Sequence, residues 1–240
     1  MKPAVSTWAL VWLSLTLAFL QASAEPARYE TRDRHDPDGI GKFYMGREIA
    51  HVMGAAGMAW LERPEREQEE QPQQVIDALD IRPGQTVADL GAGSGYFSFR
   101  MAPQVGSQGK ILALDIQEEM LRMVRRRAQQ EGVTNVVAIR STESDAKLPA
   151  GSVDLLLMVD VYHELEYPYE VMQSVVKALK PGGRVALVEY RKEDPRIMIK
   201  QVHKMAEQQI IQEMAAVGLK HLQTVKTLPI QHLAIFGKGS

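Results

Sequence analysis

From Thr86 onward the chain alternates between two hydrophobic periods. Short apolar runs bounded by turn residues read as buried strands: Thr86–Leu90, Lys110–Asp115, Val136–Arg140, Val153–Val159, Arg184–Glu189 and His232–Phe236, with a weaker one at Leu219–Val225. Between them, apolar residues recur at helical spacing. Tyr96–Val105 and Glu118–Glu131 are two such stretches, the second with Met120, Leu121, Val124 and Ala128 on one face. Val171, Met172, Val175, Val176 and Leu179 repeat the pattern, as do Ile210, Ile211, Met214 and Val217. Strands alternating with helices imply a mostly parallel sheet covered on both faces. The last two strands have no helix between them, so they should pair antiparallel at one edge. The expected fold is α/β, a doubly wound sheet of seven strands, occupying residues 72–240.

The preceding chain is less regular. Val75, Ile76 and Leu79 predict a short helix that stops near Pro83-Gly84. Glu62–Gln74 carries seven charges and two prolines and should be solvated. Lys42–Trp60, with Phe43, Ile49, Val52, Met53 and Met58, reads as a helix weakened by Gly46, Gly54 and Gly57. Residues 25–71 are therefore expected to be a helical or irregular segment, a candidate cap over a substrate. Residues 1–24 differ again: Lys2 is their one charge, and Trp8–Leu20 is apolar apart from Ser14 and Thr16. A bilayer-spanning helix takes about 20 residues, so the run fits a secretory signal, and Ala22-Ser23-Ala24 supplies a small-x-small cleavage pattern. The expectation is an exported protein beginning at Glu25, with no stable membrane anchor once cut; an uncleaved signal anchor is the alternative.

Composition narrows the function. At 45% hydrophobic and 24% charged, with 240 residues, the chain has enough apolar content for a sizeable core. Lys+Arg 28 against Asp+Glu 30 is too balanced for binding nucleic acid by phosphate neutralisation. The absence of cysteine excludes disulfides, thiolate metal sites and a cysteine nucleophile.

The most informative stretch is Val87-Ala88-Asp89-Leu90-Gly91-Ala92-Gly93-Ser94-Gly95-Tyr96-Phe97. It leaves a strand, turns through three alternating glycines and enters a helix, placing a close-approach loop where open parallel sheets bind ligands. A dinucleotide fingerprint requires a third glycine at the sixth position, which here is Tyr96. Asp89, two residues before Gly91, would repel a pyrophosphate and suit a cationic ligand.

These residues resemble the first motif of the class I S-adenosylmethionine-dependent methyltransferases, acid-x-Gly-x-Gly-x-Gly. Asp115-Ile116-Gln117-Glu118-Glu119-Met120-Leu121, Leu148-Pro149, Ser152-Val153-Asp154 and Leu179-Lys180-Pro181-Gly182-Gly183-Arg184 are similar to further landmarks of that family, in order. The likeness covers about residues 72–237 and is nearest to small-molecule enzymes of the quinone-biosynthesis type. It implies a Rossmann-like methyltransferase fold and S-adenosyl-L-methionine as cofactor. It also implies that Gly91, Gly93, Gly95 and Asp89 form the cofactor loop, and that Asp115, with Ile116 beside it, holds the ribose. An acid after the third strand would contact adenine, Glu143 first and Asp145 second.

By the same resemblance the end of the fourth strand, Val159-Asp160-Val161-Tyr162-His163-Glu164, faces the transferred methyl, so Asp160 and His163 are candidate site residues. An ordinary imidazole pKa of about 6.5 suits His163 as a general base; a hydrogen bond to a neighbouring loop is its alternative role. No Asn/Asp-Pro-Pro-aromatic motif occurs there, which speaks against methylation of a nucleobase amino group. His51, His163, His203 and His232 are far apart with no ligand spacing between close pairs, so no metal site is assigned. Arg122, Arg125, Arg126 and Arg127 fall on the polar side of a helix and read as a solvated face. The expected activity is methyl transfer to a small-molecule acceptor. A non-catalytic exported binder of the same nucleoside is the alternative, and a nicotinamide oxidoreductase is disfavoured by Tyr96 and Asp89.

Overall fold

The computed structural model describes residues 27–239, so the reading of residues 1–24 lies outside the described residues. The chain begins with three antiparallel strands, β1 (Tyr29–Thr31), β2 (Gly39–Tyr44) and β3 (Arg47–Ala50). Here the expected helix at Lys42–Trp60 fails. Met45 and Gly46 both have positive φ, 47° and 87°, and link paired Tyr44 and Arg47 as a two-residue hairpin turn. Gly46, read as a helix weakener, is the turn residue. Helix survives only in α1 (Met58–Leu61), after a 3₁₀ turn, followed by α2 (Arg66–Glu69) and α3 (Pro72–Ala78).

The α/β body then runs β4 (Thr86–Leu90), α4 (Tyr96–Val105), β5 (Lys110–Asp115), α5 (Glu118–Glu131), β6 (Val136–Arg140), β7 (Val153–Val159) and α6 (Pro168–Ala178). It ends with β8 (Leu179–Arg191), β9 (Lys204–Met205), α7 (Glu207–Ala216), β10 (Leu219–Val225) and β11 (Gln231–Lys238). The strand order is β10-β11-β8-β7-β4-β5-β6, with two-residue β9 beside β8. Pairs from β6 to β8 are parallel, while β11 is antiparallel to both β8 and β10, as the missing helix between the last two strands predicted. Among the described residues no helix is long and apolar enough to cross a membrane.

Successive strand residues face opposite sides of a sheet, and this divides the core in two. Val87, Leu155 and Leu157 pack with α3 and α4 on one side; Ala88, Leu156 and Met158 pack with α6 and α7 on the other. Helix α5 opens on Glu118 and Glu119, acids that complement the positive helix end, and stops at left-handed Gly132. From β4 the chain steps outward one way to β5 and β6, then returns to the other side of β4 to lay down β7 and β8. The crevice beyond the ends of β4 and β7 is therefore the switch point, where such sheets bind ligands.

Candidate functional site

A cavity of about 550 Å³ opens at that crevice, within the roughly 300–1,000 Å³ usual for small-molecule sites. Its walls include Gly91 and Gly93 after β4, Asp115 and Ile116 after β5, Ser141 and Glu143 after β6, and Asp160 and His163 after β7. The segment before α3 adds Val52, Met53, Trp60 and Leu61. Six carboxylates but only two cations line it: Glu70, Asp115, Glu143, Asp160, Glu164 and Glu166 against Arg66 and Lys200. A positively charged ligand would favour ionisation of the carboxyls that burial here holds toward their neutral form.

The glycine loop is held from the next strand. Gly91 and Ala92 N–H both donate to the Leu114 carbonyl at 2.8 Å, and Gly93 N–H donates to Asp115 Oδ2 at 3.0 Å. Asp115 Oδ1 accepts the Gln117 N–H at 2.8 Å. Burial raises the Asp115 pKa and these N–H donors oppose the rise. Each oxygen keeps a second lone pair for a ligand hydroxyl. At Gly91, with φ of +75°, a Cβ would lie 2.4 Å from Val161 Cγ2, so the loops after β4 and β7 touch there. Any side chain would drive them apart.

Not every expected site residue faces the cavity. Asp89 is buried beneath the loop, where its Oδ2 accepts the Ser98 hydroxyl at 2.6 Å. Burial pushes its pKa up to about 6. It braces β4 against α4 and does not line the cavity as an anionic wall. Gly95 is the left-handed residue entering α4, and a Cβ there would meet Phe99 and Val124 in the core. Asp145 turns to the Lys147 N–H and ammonium, leaving Glu143 as the acid on the cavity wall.

Asp160 is better placed than the sequence could show. Its φ is +53°, a left-handed conformation that Asp tolerates better than most residues. Its Oδ2 accepts Gln231 Nε2 at 2.7 Å, while Oδ1 is buried without a partner. Burial, with Glu70 and Glu189 nearby, raises its pKa well above the usual carboxylate range. Ser141 Oγ, on the same cavity wall, is likewise buried and unpaired. Nothing in the sequence singled out Ser141. These two orphaned polar atoms, the glycine cradle and the free lone pairs of Asp115 fit a ligand carrying hydroxyls and positive charge.

Most of Glu62–Gln74 is exposed, as its charges suggested, but not all of it. Arg66 and Glu70 are buried, with Arg66 Nε donating to Glu70 Oε2 at 2.7 Å. Glu70 Oε1 accepts Arg63 Nη2 at 2.6 Å and the Tyr190 hydroxyl at 2.9 Å. Opposite charges buried together satisfy one another, and composition cannot distinguish this from exposure.

His163 is buried, and both ring nitrogens have partners: Nδ1 meets Glu189 Oε2 at 2.5 Å and Nε2 meets His203 Nδ1 at 3.1 Å. Burial lowers the His163 pKa to about 4 and raises that of Glu189 to about 8, so each is held toward its neutral form. The free imidazole base expected from the sequence is not what the fold presents. Burial also lowers His203 to about 4 and raises Glu164 to about 7. The bidentate pair of Arg47 with buried Glu213, at 2.7 and 3.0 Å, fastens the β2–β3 hairpin to α7. Arg47 Nη1 also donates to the His163 carbonyl at 3.3 Å.

A switch-point cavity with this glycine loop defines a ligand-binding α/β protein, and comparison with known proteins says of which family. Residues 81–228 match the family described as "Methyltransferase domain", and the chain belongs to that family. It therefore carries a methyltransferase domain, on a fold it shares with solved S-adenosylmethionine-dependent methyltransferases. The ubiquinone/menaquinone biosynthesis C-methyltransferase UbiE of Escherichia fergusonii is 31% identical over 118 residues, covering 49% of this chain and 47% of the relative. The chain thus spans about half the length of the curated relatives it matches. A SAM-dependent methyltransferase from Aquifex aeolicus superposes with a TM-score of 0.74 at 23% identity, over 78% of this chain and all of the other. The [4+2]-cyclase SpnF superposes at 0.60 with 13% identity, over 69% and 80% of the two chains.

Proposed function

We propose that the protein transfers the methyl group of S-adenosylmethionine to a small-molecule acceptor. The observation that carries this reading is the convergence of Gly91, Gly93 and Asp115 on one acid-lined cavity at the switch point. The bound cofactor supplies a methyl group already activated by its sulfonium. The protein's work is then positioning and exclusion of water. Asp115 offers one lone pair per oxygen to vicinal ribose hydroxyls. Glu143 stands where an adenine amino group is recognised, and Ser141 Oγ offers a further polar contact. Asp160 Oδ1 serves the cationic end of the cofactor, where ionisation of the carboxyl is rewarded by the incoming charge. Gly91 and Gly93 let that ligand lie against backbone. The acceptor occupies the side walled by Val52, Met53 and Trp60, which makes the segment before α3 its cap. His163, with both nitrogens engaged, orients this wall and is not the proton acceptor.

Calorimetric titration with S-adenosylmethionine, S-adenosylhomocysteine and NAD tests the reading: the first two should bind and NAD should not. Binding of NAD alone would refute it. A second reading, an exported binder of the same nucleoside without turnover, is favoured by the apolar leader at residues 1–24, because the cofactor is made inside cells. The fold does not choose between the two. Transfer of a labelled methyl group across a panel of acceptors does.

A further inference from the structure

We propose that His163, Glu164 and His203 bind one divalent transition-metal ion, of the zinc or ferrous class, with its open side toward the acceptor half of the cavity. The cation site is argued from donor geometry alone. Its service to an oxygen-bearing acceptor rests on the methyl-transfer reading above.

The three residues come from two 3₁₀ turns distant in sequence, Tyr162–Glu164 and Gln201–His203. One ligand atom of each lies within 4.8 Å of the others. His163 Nε2 is 3.1 Å from His203 Nδ1, and Glu164 Oε1 is 3.8 Å from the first and 3.6 Å from the second. A point equidistant from all three atoms lies about 2.0 Å from each, matching zinc–imidazole and zinc–carboxylate bonds of about 2.0–2.2 Å. The imidazole planes are 75° apart, as for two rings radiating from a common centre.

Two of the three ligands have their other polar atom tied elsewhere, which aims the free one inward. His163 Nδ1 is held by Glu189 at 2.5 Å, the carboxylate–imidazole arrangement that commonly backs a metal-bound histidine. Glu164 Oε2 accepts the Met53 N–H at 3.2 Å, leaving Oε1 to the cluster. The cations whose charge reaches the rings, Arg47 and Lys200, are engaged by Glu213 and Asp38. Two nitrogen donors and one carboxylate select a transition metal over Mg²⁺ or Ca²⁺, which prefer all-oxygen sites. Three protein ligands leave a position open, the pattern of a working site rather than a structural one. Since all three residues line the cavity, that position can take a hydroxyl, enolate or carboxylate oxygen of the acceptor.

The test uses untagged, chelator-treated protein titrated with Zn²⁺ and with Mg²⁺, and separately with S-adenosylhomocysteine. One Zn²⁺ per chain should bind and Mg²⁺ should not compete. Half-exposed His203 can be replaced with little risk to the fold, so His203→Ala should weaken Zn²⁺ at least about tenfold, as should Glu164→Gln. Exposed His51→Ala should leave it unchanged. Co²⁺ in place of Zn²⁺ should give a visible absorption band that His203→Ala abolishes. Zn²⁺ that fails to bind, or binds His203→Ala as well as wild type, overturns the proposal even if S-adenosylhomocysteine binds. Zn²⁺ held through His203 in a protein that ignores S-adenosylhomocysteine supports the cation site and removes the methyl-transfer reading instead.

Discussion

Replacing Asp115 by alanine separates two jobs that one carboxylate performs. Its oxygens accept the Gly93 and Gln117 N–H groups at 3.0 and 2.8 Å, which brace the glycine loop against β5. The remaining lone pairs are assigned to ribose hydroxyls. A hydrogen bond to a charged acceptor contributes about 1.5–3 kcal/mol. At about 1.4 kcal/mol per decade, losing one such equivalent weakens S-adenosylhomocysteine binding roughly tenfold to 150-fold. The two N–H groups released sit beside the cavity, where water can enter. The stability loss should therefore be about 2 kcal/mol, or roughly 4–8 °C in melting temperature for a chain of this size. Calorimetry and thermal melting measure the two effects independently. A ligand comparison isolates the direct contact: wild type should prefer S-adenosylhomocysteine to its 2′-deoxy analogue, and Asp115→Ala should not. If the variant melts lower yet keeps the full preference, Asp115 holds the loop and not the ribose, and its assignment to the ribose is wrong.

The loop itself gives a second test. At Gly93, φ +55°, an added Cβ meets only the mobile end of Leu61, at 2.7 Å, so Gly93→Val should stay folded by circular dichroism and lose cofactor binding; a folded variant with normal affinity would reduce the loop to a structural turn. Gly91→Val, blocked by Val161, should unfold at lower temperature than Gly93→Val. Arg47→Ala strands buried Glu213 with Tyr162 and Gln209 alone and should cost about 3–5 kcal/mol in urea denaturation. The double variant Arg47→Met/Glu213→Gln should recover most of that, and a cost below about 1 kcal/mol for Arg47→Ala would contradict the burial argument. For Asp89 the native state binds a proton more tightly than the unfolded chain, so stability present below about pH 4 is lost as pH rises through about 6. Asn cannot ionise and still accepts the Ser98 hydroxyl, so Asp89→Asn should melt above wild type near about pH 8, by up to about 3 kcal/mol, and match it near about pH 4; an equal difference at both would exclude ionisation as the cause. Finally, we propose that residues 1–24 are an export leader, in which case mass spectrometry of the native protein should find Glu25 first and not Met1.

The α/β body was legible in the sequence because its signals are local. Buried parallel strands are apolar runs, and amphipathic helices repeat every 3.6 residues, so Tyr96–Val105 and Glu118–Glu131 were read to the residue. The alternating glycines and the strand-end acid Asp115 belong to the same class, since positive φ and close backbone approach restrict the residue type at each position. Where pattern and partner diverged, local reading failed. The β2–β3 hairpin reads as helix in the sequence because its strands are short and its turn begins with Met45 rather than Asn or Asp. The charges of Arg66 and Glu70 read as solvated because what buries the pair includes Tyr190, whose hydroxyl reaches Glu70 from 120 residues away. Asp89 and Asp160, both acids at strand ends, differ only in direction: one turns under the loop to Ser98, the other keeps a bare oxygen at the cavity. His163, Glu164 and His203 share no sequence spacing, and it is the packing of two 3₁₀ turns at the cavity wall that brings their donor atoms to a common point. Sequence determines which backbone each segment adopts, through energies that reach a few residues. Which polar groups meet, and so what chemistry the cavity offers, is decided by contacts that exist only once distant segments have packed.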